Sequence, residues 1–178
     1  GMMLMGAVAA FAITSLSGNP YFGIISAAFA GGTTAAVFAI FALGLATNQV
    51  ATGLALTIFG TGLSGLIGAP YVGGTIEGLS VLAIPFLSDL PVLGSLFSEL
   101  DPLAYFSILL IGIVAFFLNN TRAGLILRAV GNNHDSAHAL GYSVFWVRCG
   151  AVIFGGVMAG LAGAYLPLVL TPHWSEGM

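Results

Sequence analysis

The first 76 residues contain no Asp, Glu, Lys or Arg, and Glu77 is the first charge. One bilayer crossing takes about 20 apolar residues. An uncharged apolar run of this length must therefore cross more than once. Glycine accounts for 26 of 178 residues, about twice the usual ~7% share. In so apolar a chain this indicates helices packed backbone to backbone in a membrane. Charged residues are 5% and hydrophobic residues 58%, against about 25% charged in a soluble domain. Three arginines and six acids cannot screen that much apolar surface, so a water-soluble enzyme or binding domain is excluded. Nucleic-acid binding is excluded by the absence of Lys and the net charge of −3. The single Cys149 rules out a disulfide framework.

Breakers divide the apolar run. Gly18-Asn19-Pro20 is a turn signal, Thr47-Asn48-Gln49 a short polar interruption, and Gly68-Ala69-Pro70 ends a third stretch. The spans read as Gly1–Leu16, Tyr21–Ala46 and Ala51–Ile67, the first short for a full crossing. Residues 69–102 change texture. Pro70, Pro85, Pro91 and Pro102 preclude one continuous helix, and Glu77, Asp89, Glu99 and Asp101 fall here. This predicts an irregular loop on the membrane or the bundle. A fourth span, Leu103–Leu118, precedes a polar loop over 119–143, and a fifth runs Val144–Leu170. The expected fold is all-α, a polytopic transmembrane bundle of about five spans forming one integral-membrane domain over residues 1–178.

Arg122, Arg128 and Arg148 flank one loop, which the positive-inside rule assigns to the cytoplasm. Counting through the spans puts 69–102 and the C-terminus outside, and Thr47–Gln49 and Gly1 inside. Five of six acids then lie outside. Tyr142 and Trp146 fall at the inner interface. Trp174 falls just beyond the outer end, where aromatic belts occur. No basic segment marks a cleavable leader.

The cytoplasmic loop carries a miniature helix signal. Asn133 is a good N-cap, Asp135 suits the first turn, and Gly141 suits the position past the end. This predicts a helix over His134–Leu140. Two turns are marginal alone in water, so the helix reads either as a docking element or as a structured loop. His134 and His138 at i and i+4 imitate a zinc motif with Asp135 in place of its Glu. The remaining histidine, His173, is expected across the membrane, so no metal site is assigned.

In the third span Thr57, Thr61 and Ser64 share a helix face, and Asn48, Gln49 and Thr52 extend the polarity inward. They read as a path for a polar uncharged solute or as helix-packing groups. The absence of charge in the spans argues against proton relays and charged substrates. Gly156, Gly160 and Gly163 form a small-residue packing face, toward another helix of the chain or a second subunit.

The stretch Thr121, Gly124, Arg128-Ala129-Val130-Gly131, Asn133, Ala137 and Gly141, followed by Ala159-Gly160-Leu161-Ala162-Gly163, resembles the permease family of ABC importers. That family serves branched-chain amino acids, simple sugars and nucleosides. His134 stands where the family usually has Pro. Residues 48–57 and 84–94 are similar to its nucleoside and simple-sugar branch, and Gly1-Met2-Met3-Leu4 looks like the tail of a family segment. The resemblance implies a central fragment of a permease, with further spans at both ends, in a bacterial or archaeal plasma membrane. It implies that the loop is the coupling helix, seated on an ABC ATPase subunit through Arg128, Gly131, Asn133, His134, Ala137, Leu140 and Gly141. A second permease subunit, identical or paralogous, and an extracytoplasmic solute-binding protein complete the expected partners, in contact with membrane lipid. No cofactor is expected in this chain, and no catalysis, because a G-x-x-x-x-G-K-[ST] loop needs a Lys. The alternatives are an ATP-independent carrier or channel, and an intramembrane metalloprotease using His134 and His138.

Overall fold

The computed structural model describes residues 1–76, 78, 79, 101–133, 138 and 141–174. Its regular elements are helical. They are α1 (Met2–Ser17), α2 (Pro20–Ala39), α3 (Gln49–Gly68), α4 (Pro102–Asn120), α5 (Arg122–Asn132) and α6 (Val144–Tyr165). A π-helical turn prolongs α2 over Ile40–Gly44 and another prolongs α6 over Leu166–Leu170, while a 3-10 turn, Ala69–Tyr71, follows α3. Among the described residues four helical stretches are long and apolar enough to cross a membrane: Pro20–Gly44, Gln49–Tyr71, Pro102–Asn120 and Val144–Leu170. The 16 residues of α1 reach only about 24 Å at 1.5 Å per residue. This is an all-α polytopic bundle. It divides into two compact units, one of Gly1–Gly78 with His134–Met178, the other of Leu79–Asn133.

In the first unit the turn residues act as caps. The N–H of Gly18, at φ 66°, donates to Thr14 O at 2.8 Å and ends α1. The Asn19 side chain accepts from Tyr21 N–H at 3.0 Å, and Pro20 opens α2 with its φ preset. The Asn48 carboxamide accepts from Val50 and Ala51 N–H at 3.0 and 3.3 Å and starts α3.

Helices α1, α2 and α6 meet where side chains are missing. A Cβ added to Gly160 would overlap the Ala27 carbonyl; one on Gly156 would overlap Ala35 Cβ; one on Gly163 would overlap the Met3 carbonyl. Gly6 faces Gly160, and Gly31 faces both Gly156 and Gly160. Lipid tails are as apolar as Leu, so van der Waals contact holds such helices together. Each atom pair contributes only about 0.1–0.2 kcal/mol, and close backbone approach multiplies the pairs. Ser26 adds a hydrogen bond between helices, donating to Ala9 O at 3.0 Å.

At one end of this unit the residues after α3 pair with those after α6. Val72 bridges Trp174 in parallel and Thr75 bridges His173 antiparallel. Ile76 N–H donates to Pro172 O at 3.1 Å, and Trp174 N–H to Gly74 O at 3.3 Å. The Trp174 indole lies on Gly68 and stands 5.8 Å from the Phe11 ring, which meets Tyr71 edge-on at 6.0 Å. Trp174 is therefore not in an aromatic belt; it is 4% exposed, because residues 71–76 fold back over it. Trp146 is 70% exposed.

In the second unit α4 passes to α5 through one extended residue, Thr121 (φ −113°, ψ 150°). The Thr121 hydroxyl accepts from Gly124 N–H at 3.0 Å and donates to Phe117 O at 2.7 Å. Gly124 packs directly on the Phe117 carbonyl. Residues 122–132 are thus a helix, where the polar composition of the loop suggested none. The Thr121 cap and the apolar Ile126, Leu127 and Val130 on one side account for it.

Candidate solute path and cytoplasmic loop

The hydroxyls of α3 are spent on their own backbone. Thr57 donates to Gly53 O at 2.9 Å, Thr61 to Ile58 O at 2.8 Å, and Ser64 to Thr61 O at 3.0 Å. Thr57 and Thr61 are exposed. Ser64 is 5% exposed and shares the buried side of α3 with Gly60 and Gly68. Asn48 caps α3, and Gln49 is exposed in its first turn.

A cavity of about 550 Å³ opens between α2 and α3. Phe38, Phe41, Leu56 and Phe59 form its apolar walls, and Thr47 and Thr52 its polar end. The two threonine hydroxyls are 2.8 Å apart, with Phe41 O 2.8 Å from that of Thr47 and Asn48 O 2.9 Å from that of Thr52; one hydroxyl donates to the other, which in turn donates to its backbone carbonyl. Ala51, Ala55 and Phe59 line it at a four-residue spacing, on the side of α3 away from Thr57 and Thr61. Of the six polar residues singled out by sequence, only Thr52 lines this cavity, while Thr57 and Thr61 present a separate exposed face. The cavity follows from the π-helical turn at Ile40–Gly44 and from Ala46, whose φ is 48°.

In the stretch 119–143, Asn133 ends α5 with its N–H on Ala129 O at 2.9 Å, and its backbone is extended (φ −151°, ψ 100°). Arg128 Nη1 donates to Asn119 Oδ1 at 3.1 Å, which ties α5 to the end of α4. Gly131 is exposed. His134, Ala137 and Leu140, and with them all of the expected helix His134–Leu140 except His138, lie outside the described residues. Gly141 has φ 85° and donates to His138 O at 2.9 Å. Gly156, Gly160 and Gly163 meet α1 and α2 of the same chain. The α2–α3 cavity and α5 were not anticipated from sequence. The second had a readable signal, Thr121 ahead of an apolar periodicity.

A family model described as branched-chain amino acid transport system, permease component, matches residues 1–178. TsgC13 of Haloferax volcanii, named for glucose ABC transport as a permease protein, is 37% identical over 182 residues, covering 100% of this chain and 55% of the relative. The nucleoside ABC transporter permease NupC of Lactococcus lactis is 29% identical over 186 residues, covering 98% of this chain and 59% of the relative. The guanosine ABC transporter permease NupQ of Bacillus subtilis is 28% identical over 175 residues, covering 92% and 55%. The chain spans somewhat over half the length of these relatives. No solved structure matches it significantly.

Proposed function

This chain belongs to the branched-chain amino acid transport system permease family, and from that premise we propose that it forms part of the membrane-spanning subunit of an ATP-driven importer. The observation that carries the proposal is the match of the family model to all 178 residues. The solute is a polar uncharged molecule, a simple sugar or a nucleoside. Two features support this class: the relatives are named for glucose, nucleoside and guanosine transport, and α2 and α3 carry hydroxyls but no charge. Thr57 and Thr61 face the solute path. ATP is hydrolysed on a separate subunit, a reading supported by the family's description as a permease component. A second permease subunit and an extracytoplasmic binding protein complete the assembly.

Coupling to the ATPase runs through residues 133–141. Asn133 caps the contact helix, and Arg128 and Gly131 set its approach. His134, Ala137, Leu140 and Gly141 form the contact itself. The test uses the complete permease with its ATPase. Ala137→Trp adds bulk to the contact and should abolish solute-stimulated ATP hydrolysis and co-purification of the ATPase. Asn133→Ala removes a cap worth about 1 kcal/mol and should weaken both. Unmodified levels in Ala137→Trp would reject this loop as the transmission element.

A further inference from the structure

We infer that α5 is an interfacial helix whose outward face, Arg122, Leu125 and Arg128, binds anionic phospholipid headgroups of the cytoplasmic leaflet. The 19 residues of α4 reach about 28 Å at 1.5 Å per residue, close to the ~30 Å hydrocarbon core. Its last residues, Asn119 and Asn120, therefore stand at headgroup level. Only Thr121 separates them from α5, so the second helix starts in the interface with no length of chain to carry it into the cytosol. The Arg128 guanidinium donates to Asn119 Oδ1 at 3.1 Å, which fixes the middle of α5 at that same level.

The two sides of α5 differ. Gly124 and Val130 are buried within their unit. Leu125 is 68% exposed, with Arg122 three residues before it and Arg128 three after, both exposed. An exposed leucine framed by two cations suits the boundary between acyl chains and phosphates, where the leucine enters hydrocarbon and the long arginine side chains reach the phosphates. Residues 102–133 contain these two arginines and no acid, so the segment is complementary to an anionic leaflet. The ATPase is the competing occupant. The tether to Asn119 and the one-residue link favour the lipid.

The test uses the complete permease with Cys149→Ser and a bimane fluorophore attached through Leu125→Cys. It is reconstituted without ATPase in nanodiscs of phosphatidylcholine and phosphatidylglycerol, with one lipid or the other brominated. Brominated phosphatidylglycerol should quench the fluorophore more strongly than brominated phosphatidylcholine. Arg122→Gln and Arg128→Gln should each reduce that preference about five-fold, and Arg122→Lys should retain it. Equal quenching by the two lipids would overturn recognition of the anion. Quenching by aqueous iodide alone, with shielding only after the ATPase is added, would overturn the lipid assignment in favour of the ATPase. The lipid arms need no ATPase and no transport, so their failure is separate from failure of the transport proposal.

Discussion

A threonine in a membrane helix has one hydroxyl proton to give. Thr57 and Thr61 give theirs to Gly53 O and Ile58 O, so each offers a solute only acceptor lone pairs. These suit the hydroxyl donors of a sugar or nucleoside. Valine at either position keeps the shape and removes the acceptor. Thr57→Val and Thr61→Val should each weaken uptake by the complete transporter by about 2- to 10-fold at low solute concentration, the loss of one hydrogen bond of about 0.5–1.5 kcal/mol. Radiolabelled solute uptake reads the effect. If both variants transport like the parent, these residues serve packing.

Among the helices, the crossing of α1, α2 and α6 depends most on residue size. A side chain on Gly160 would run into Ala27 and Gly31 of α2, while Gly6 of α1 packs on the Gly160 backbone, so a side chain there must push α2 away. Gly160→Leu should cost more than about 3 kcal/mol, beyond the ordinary range for overpacking, and eliminate the folded peak of the detergent-solubilised full permease in size-exclusion chromatography. Gly62→Ala, where an added Cβ meets nothing within 4 Å, should keep the peak. The helices themselves were legible in sequence. Spans expected at Ala51–Ile67 and Leu103–Leu118 occur as Gln49–Gly68 and Pro102–Asn120, because Asn48 and Pro102 mark starts that local chemistry encodes. The Gly156–Gly160 spacing was visible too, but spacing alone does not name the helix that fills it. The α2–α3 cavity was illegible because it depends on a π-helical turn and on Ala46 at φ 48°, neither of which has a residue signature here. The burial of Trp174 depends on pairing with residues 72–74, which no local pattern records.

For the whole molecule, the arginines set the orientation. The positive-inside rule predicts Arg122, Arg128 and Arg148 inside, and counting through the spans then predicts Asp89, whose loop lies outside the described residues, on the outside. In a Cys149-free complete protein, an impermeant maleimide applied to intact cells should label Asp89→Cys and spare Arg128→Cys. The reverse pattern would invert the topology. The same counting puts the ends of α1, α3 and α6 on one side, and in their unit these ends do gather around Phe11, Tyr71 and Trp174.

That gathering also sets an order in time. Gly68 and Tyr71 leave the ribosome about a hundred residues before Trp174, which covers them. At about 5–20 residues per second, the socket stays open for roughly 5–20 s. During that interval the ends of α1 and α3 have no indole between them, and the chain must insert α4, make the turn into α5 and deliver α6 before the socket can close. The last helix of this segment to be synthesised is thus the one that completes the first and third.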